Sequence, residues 1–268
     1  DRLPLPRFSN GEEVTSENRG KLGKIEGVSG KAWYSEDNKT LYLENATIKK
    51  DASIIVNNSN SNLKIVLYGE NNLTAQGVAI EIHAATTICG YGSGTLNVKS
   101  EKSFGILTRK APLNIEDCIM TVEGSSGIMG ESGHKDEALT IRRSDVKAKG
   151  AGWGSIANIG KLVLESCAIT SPDGAAYDET LKAVAKDGKT VGDIEISFTD
   201  YGFKVAGTYV TRENCKDLTV IEGVRTNGDG YAKYDPQYKT LKLKRATIES
   251  GAAIDNSGLD GLTINAER

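Results

Sequence analysis

The sequence predicts an all-β chain: a right-handed, three-faced parallel β-helix with capping strands, followed by the beginning of a second copy of the same module. Three observations point there. Short strand-like segments return at a solenoid period, a longer stretch repeats far down the chain, and composition favours strands and tight turns. Among 268 residues there are 30 glycines but only 5 prolines and 4 phenylalanines. That balance suits many short strands joined at tight corners rather than a helical bundle.

The short period comes from a segment of the form apolar-x-apolar. It returns as Leu41-Tyr42-Leu43, Leu63-Lys64-Ile65, Thr86-Thr87-Ile88, Leu113-Asn114-Ile115, Leu139-Thr140-Ile141 and Leu162-Val163-Leu164. The spacing, roughly 22 to 27 residues, is that of solenoid rungs. A second strand follows most occurrences, as in Thr95-Leu96-Asn97-Val98 and Cys118-Ile119-Met120-Thr121-Val122. A third precedes the next rung, as in Ala79-Ile80-Glu81-Ile82 and Phe104-Gly105-Ile106-Leu107. Three period-2 strands per rung, with Gly or Asn at corners, describe a coil with three sheet faces. Leucine-rich repeats have a similar period, but their Leu/Asn signature is missing. A single rung cannot bury its apolar side, and stacking at about 4.8 Å gives a continuous core.

The long period is near 200 residues. Val14-Thr15-Ser16-Glu17-Asn18 returns as Val210-Thr211-Arg212-Glu213-Asn214, and Lys39-Thr40-Leu41-Tyr42-Leu43 as Lys239-Thr240-Leu241-Lys242-Leu243. Tyr34 returns as Tyr234, whereas Trp33 is replaced by Lys233. The expected organisation is an N-terminal cap over 1–34, the coil over 35–172, a closing hairpin or linker over 173–200, and a truncated second copy over 201–268. The cap would cover edges that an open coil exposes. Asp187-Gly188 is a hairpin-turn signal, expected to join Thr180–Ala185 to Asp193–Ser197.

Corner alignment places Ala46, Cys118, Ser144 and Cys167 at one inward site where only a small side chain fits. Cys118 and Cys167 are two rungs apart, about 9 to 10 Å, beyond disulfide reach, so free buried thiols are expected. A net charge of −3 without basic clusters argues against nucleic acid. No apolar run nears the roughly 20 residues of a membrane helix, and no signal-peptide stretch opens the chain. A monomer is expected.

Outward positions follow from the alternation. The first outward column reads Tyr42, Lys64, Thr87, Asn114, Thr140, Val163; the next reads Glu44, Val66, Cys89, Glu116, Arg142, Glu165. Glu116, Arg142 and Glu165, with Asp117 and Arg143 beside them, alternate in sign, which argues for cross-strand ion pairs. A glycan-binding or catalytic patch is the alternative. No residues are assigned to catalysis, because arginine neighbours lower carboxylate pKa values instead of raising one for acid work. His83 and His134 lack partners at zinc spacing, and no metal site is expected. His134 sits in a loop, Gly130 to Glu137, that lengthens its rung, and such loops on rigid scaffolds bind ligands. Tyr42, Tyr68, Tyr91 and Trp153 are the outward rings that could stack on a pyranose. Gly90-Tyr91-Gly92-Ser93-Gly94 reads as a glycine-rich corner, with no following helix to make a phosphate cradle. Asn71-Asn72 reads as a corner amide ladder.

With its rungs, its VTxEN motif and its Tyr…KTLxLxxATI opening, the chain resembles the carbohydrate-binding parallel β-helix proteins of the pectate-lyase-like superfold. Those proteins are exported by polysaccharide-degrading and gut bacteria. The similarity spans most of residues 14 to 170 and restarts near 203. The resemblance implies an extracellular or bacterial cell-surface module that engages polysaccharide or another extracellular partner without chemistry. Some relatives carry structural calcium; no stacked Asp ladder supports it here, and no cofactor is expected. The alternatives are a structural or adhesive stalk in a tandem surface protein and, third, a polysaccharide lyase or hydrolase.

Overall fold

The computed structural model describes residues 6–8, 12–58, 62–92 and 94–267. The chain is all-β, and stacked parallel coils form a β-solenoid of about 9 turns. It divides into two compact units, 1–164 with 168–197, and 165–167 with 198–268.

In the first unit the three strands of each rung pair in parallel with those of the next, so equivalent residues sit above one another. One inward column runs Leu41, Ile65, Ile88, Ile115, Ile141. A second runs Ile48, Leu73, Val98, Val122, Ala148. The third is all isoleucine: Ile55, Ile80, Ile106, Ile128, Ile156. All fifteen are buried. Each large aliphatic side chain taken from water stabilises by about 1.5–3 kcal/mol. β-Branched residues dominate because a stiff, branched side chain fits a pleated surface packed on both neighbours.

The corner from the first to the second face is set by left-handed residues. Asn45 (φ 48°), Asp117 (φ 52°), Arg143 (φ 45°) and Ser166 (φ 53°) each precede one of the small residues Ala46, Cys118, Ser144 and Cys167. The expected corner equivalence thus holds in local conformation. It does not hold in ladder register: Ala46 donates its N–H to Asn71 Oδ1 (2.9 Å), whereas Cys118 donates to Ser144 Oγ (3.2 Å). Between them lie rungs that turn at Gly69 and Gly92, both at positive φ. At Gly69 the positive φ strains any side chain, and a Cβ would also displace the Asn45 side chain, whose Oδ1 would lie 2.1 Å away.

All four cysteines are free and buried. Burial pushes the Cys118 thiol up to about 12, only partly offset by its hydrogen bond with Ser144. A raised thiol pKa favours the folded state fully below the ordinary value of 9.0, and this stabilisation is lost as pH rises toward about 12. The expected result is a melting temperature that falls between pH 8.5 and 11, with a shallower slope in Cys118→Ala. Equal slopes in the two proteins would exclude the thiol as the cause. In the native protein at pH 8, Cys118 should also resist alkylation by iodoacetamide.

Antiparallel strands cover the coil's edges. Val28–Ser35 lies against Thr40–Lys50, with Tyr34 opposite Leu41 and buried. Arg7–Phe8 runs antiparallel to Ile55–Asn57. At the other end Asp187-Gly188 (φ 51° and 72°) turns the hairpin between Ala183–Lys186 and Lys189–Thr190. The expected second arm is corrected. Asp193–Phe198 leaves the hairpin and pairs antiparallel with Asp145–Ala157, Val146 opposite Ile196. The coil edge offers Ile194 and Ile196 an apolar seat, while the hairpin takes Ala176–Asp178 as its third strand.

The second unit repeats the opening of the first. In both copies of VTxEN the Asn side chain accepts from the Thr N–H, Asn18 from Thr15 (2.7 Å) and Asn214 from Thr211 (2.8 Å). Val224–Asp235 pairs with Thr240–Ile248 as Val28–Ser35 pairs with Thr40–Lys50, with Tyr234 opposite Leu241. Its core gathers Phe203, Val205, Val210, Leu218, Tyr234 and Leu241.

Candidate functional site

The ladder register shifts the expected outward columns at the first rung. Tyr42 stands beside Val66, not Lys64, and Glu44 stands beside Tyr68. The true columns are therefore Tyr42, Val66, Cys89, Glu116, Arg142, and, next to it, Glu44 then Tyr68. A two-residue slip keeps every apolar side chain inside, so alternation alone does not choose between the registers.

The corrected register gathers the rings. Trp33 lies directly opposite Tyr42, and the two stack at 4.9 Å between centroids, 9° from parallel. Tyr68 stacks on both, 6.4 Å from Tyr42 and 6.5 Å from Trp33. Tyr91 follows at 5.0 Å from Tyr68, tilted by 45°. Three of the four expected rings thus form one row, completed by Trp33, which the sequence reading left outside it. The hairpin around Glu36 to Lys39 was the available signal, because an antiparallel return that sets Tyr34 against Leu41 also sets Trp33 against Tyr42. Tyr91 ends the row at 40% exposure, with Tyr68 as its one ring contact among the described residues.

Polar groups flank the row. Asn38 Nδ2 donates to the Tyr42 hydroxyl (3.0 Å), and Lys31 pairs with Glu44 (2.9 Å). Burial and the neighbouring Tyr42 and Tyr91 phenols push the Tyr68 pKa up. Tyr68 therefore presents a neutral hydroxyl at neutral pH. Further along, Arg142 binds Glu116 (2.7 Å), and Arg143, itself almost wholly buried, binds Asp117 through Nε (2.7 Å) and Nη2 (3.0 Å). Arginine thus holds both carboxylates. Glu165 closes the strand Lys161–Glu165 and falls in the second unit.

The remaining candidates stand apart from the row. Trp153 lies on Asp145–Ala157 at 61% exposure. His134 is exposed and its Nδ1 faces Asp136 (3.3 Å). Its loop hangs on Glu137, which the sequence reading did not single out. That carboxylate is buried and accepts four backbone N–H groups, from Lys110, Glu131, Ser132 and His134. On the third face Arg109 bridges Glu81 and Glu131, and Glu81 also meets His83.

No group of three or more His, Cys, Asp or Glu among the described residues is placed to hold a metal ion. No helix among them is long and apolar enough to cross a membrane. Comparison with protein-family models, curated proteins and solved structures finds no match.

Proposed function

We propose that the chain is a non-catalytic extracellular module of a bacterial surface or secreted protein, binding polysaccharide along the face that carries Trp33, Tyr42, Tyr68 and Tyr91. The observation that carries this reading is a contrast between the two units. Both build the same strand pair, with a buried tyrosine opposite a leucine, yet the outward pair is Trp33 with Tyr42 in one and Lys233 with Lys242 in the other. The shared strand pair forms without the rings, which supports recognition as their use. Tyr91 offers a ring face to a pyranose, and the hydroxyls and the Lys31–Glu44 pair lie beside it for sugar hydroxyls. Paired carboxylates on this face argue against acid–base hydrolysis.

The test is a glycan array with and without calcium, paired with assay for released reducing or unsaturated ends. Tyr91→Ala is expected to weaken the best hit about tenfold, the scale of one aromatic contact with its buried area. Product release would refute the non-catalytic reading. The second reading, a structural or adhesive stalk, draws on the near-parallel stacking of Trp33 on Tyr42, which uses ring faces within the row. Silence across the array would favour it.

A further inference from the structure

We infer that the groove walled by Lys99, Glu123, Lys149 and Asp193 is a second, separate site, built for a neutral oligosaccharide. It lies wholly within the first unit. Its volume, about 560 Å³, falls in the range of small-ligand sites, about 300–1,000 Å³.

The floor is kept bare by sterics. Gly124 and Gly150 line it side by side on neighbouring strands, and Gly192 lies against Gly150. A Cβ on Gly150 would come within 1.9 Å of Gly154 O, and one on Gly124 within 2.6 Å of Ser103 O. At Gly124 and Gly150 the floor therefore carries no side chain.

The rim carries an insertion. Gly124 pairs with Gly150 and Ser126 with Gly154, so Ala151, Gly152 and Trp153 together oppose the single residue Ser125. Ala151 lines the groove, and Trp153, two residues on, is 61% exposed with no ring or cation contact among the described residues. The bulge leaves the Trp153 ring open to solvent and so available to a ligand.

The wall charges select the ligand. Lys99, Glu123, Lys149 and Asp193 stand in one column of alternating sign. Lys149 lies 4.0 Å from Glu123 and 3.8 Å from Asp193, long contacts between half-exposed groups that contribute little as ion pairs. Glu101 adds a third carboxylate. A polyanion meets three carboxylates and a polycation meets two ammoniums. A neutral chain of hydroxyls both donates to the carboxylates and accepts from the ammoniums, and a chain that runs past Ala151 at the end of the groove has the exposed indole of Trp153 two residues further on for an apolar contact.

The chain's two tryptophans make the test selective. Trp33→Phe leaves Trp153, on the bulge that continues from the groove-lining Ala151, as the sole tryptophan reporter; Trp153→Phe leaves Trp33 to report on the tyrosine row. Each variant, checked for folding by circular dichroism, is titrated with hexaoses of β-1,4-linked glucose, xylose and mannose and with a galacturonate hexamer. The inference expects saturable emission change in Trp33→Phe with a neutral hexaose. It also expects at least fivefold weaker binding when Glu123→Gln and Lys149→Met are added. Response in Trp153→Phe alone would overturn the groove site and leave the tyrosine face standing. Response of Trp33→Phe to galacturonate alone would overturn the neutral class, and silence of Trp33→Phe throughout would overturn the site.

Discussion

Replacing Glu137 with Ala lowers the stability of the first unit by roughly 3–5 kcal/mol. The carboxylate is buried and receives four backbone N–H groups: Lys110 (3.0 Å) and Glu131 (3.2 Å) on Oε1, Ser132 (3.1 Å) and His134 (2.9 Å) on Oε2. Each buried donor left unpaired costs about 1–3 kcal/mol, and the exposed flanks of the loop let water recover part of the total. Glu137→Gln keeps one acceptor oxygen and turns an NH₂ toward two donors, so it should fall between wild type and Ala. Urea unfolding followed by far-UV circular dichroism reads the order, and a loss under about 1 kcal/mol for Ala would show that water replaces the carboxylate.

Asn71 has the second-largest expected effect, because one buried amide ties three rungs. Its Oδ1 accepts from Ala46 N on the rung before, and its Nδ2 donates to Thr95 O on the rung after (3.2 Å) and to Tyr68 O (3.3 Å). Asn71→Ala should cost roughly 2–4 kcal/mol, the sum of an orphaned donor and carbonyls that lose their partner. Asn71→Asp should be worse at pH 7, since a second carboxylate oxygen would face those carbonyls. Such a carboxylate has a raised pKa in the folded state, so the penalty is present above that pKa and fades as pH falls below it. Thermal melts of Asn71→Asp at pH 7 and pH 4 check the sign. A mutant more stable at pH 7 than at pH 4, relative to wild type, would contradict it.

The coil was legible from the chain because a period-2 pattern repeating every rung leaves few ways to bury Leu, Ile and Val. The arginine–carboxylate pairs were legible too, since Glu116 and Arg142 occupy the same place in consecutive rungs of matching length. The first rung was misread by two positions: Leu63-Lys64-Ile65-Val66-Leu67 is apolar enough to seat Leu41 and Leu43 in either register. That slip hid the tyrosine row, which depends on which outward residues become neighbours. The exposure of Trp153 was expected, but the groove beside it depends on a bulge visible only when Asp145–Ala157 meets its partner strand. Glu137 resembled any acidic loop residue, and only the path of the loop shows its four donors.

Hydrogen bonds between rungs run along the coil axis, and this gives the molecule a direction under load. Tension applied along that axis meets the ladder in an opening geometry, where bonds part a rung at a time instead of shearing together. Successive rungs begin at 63, 86, 113 and 139, so each yielding turn frees 23, 27 or 26 residues. At ~3.4 Å per extended residue that is about 80–90 Å of slack. A coil built this way lengthens in steps under tension and keeps the remaining turns wound.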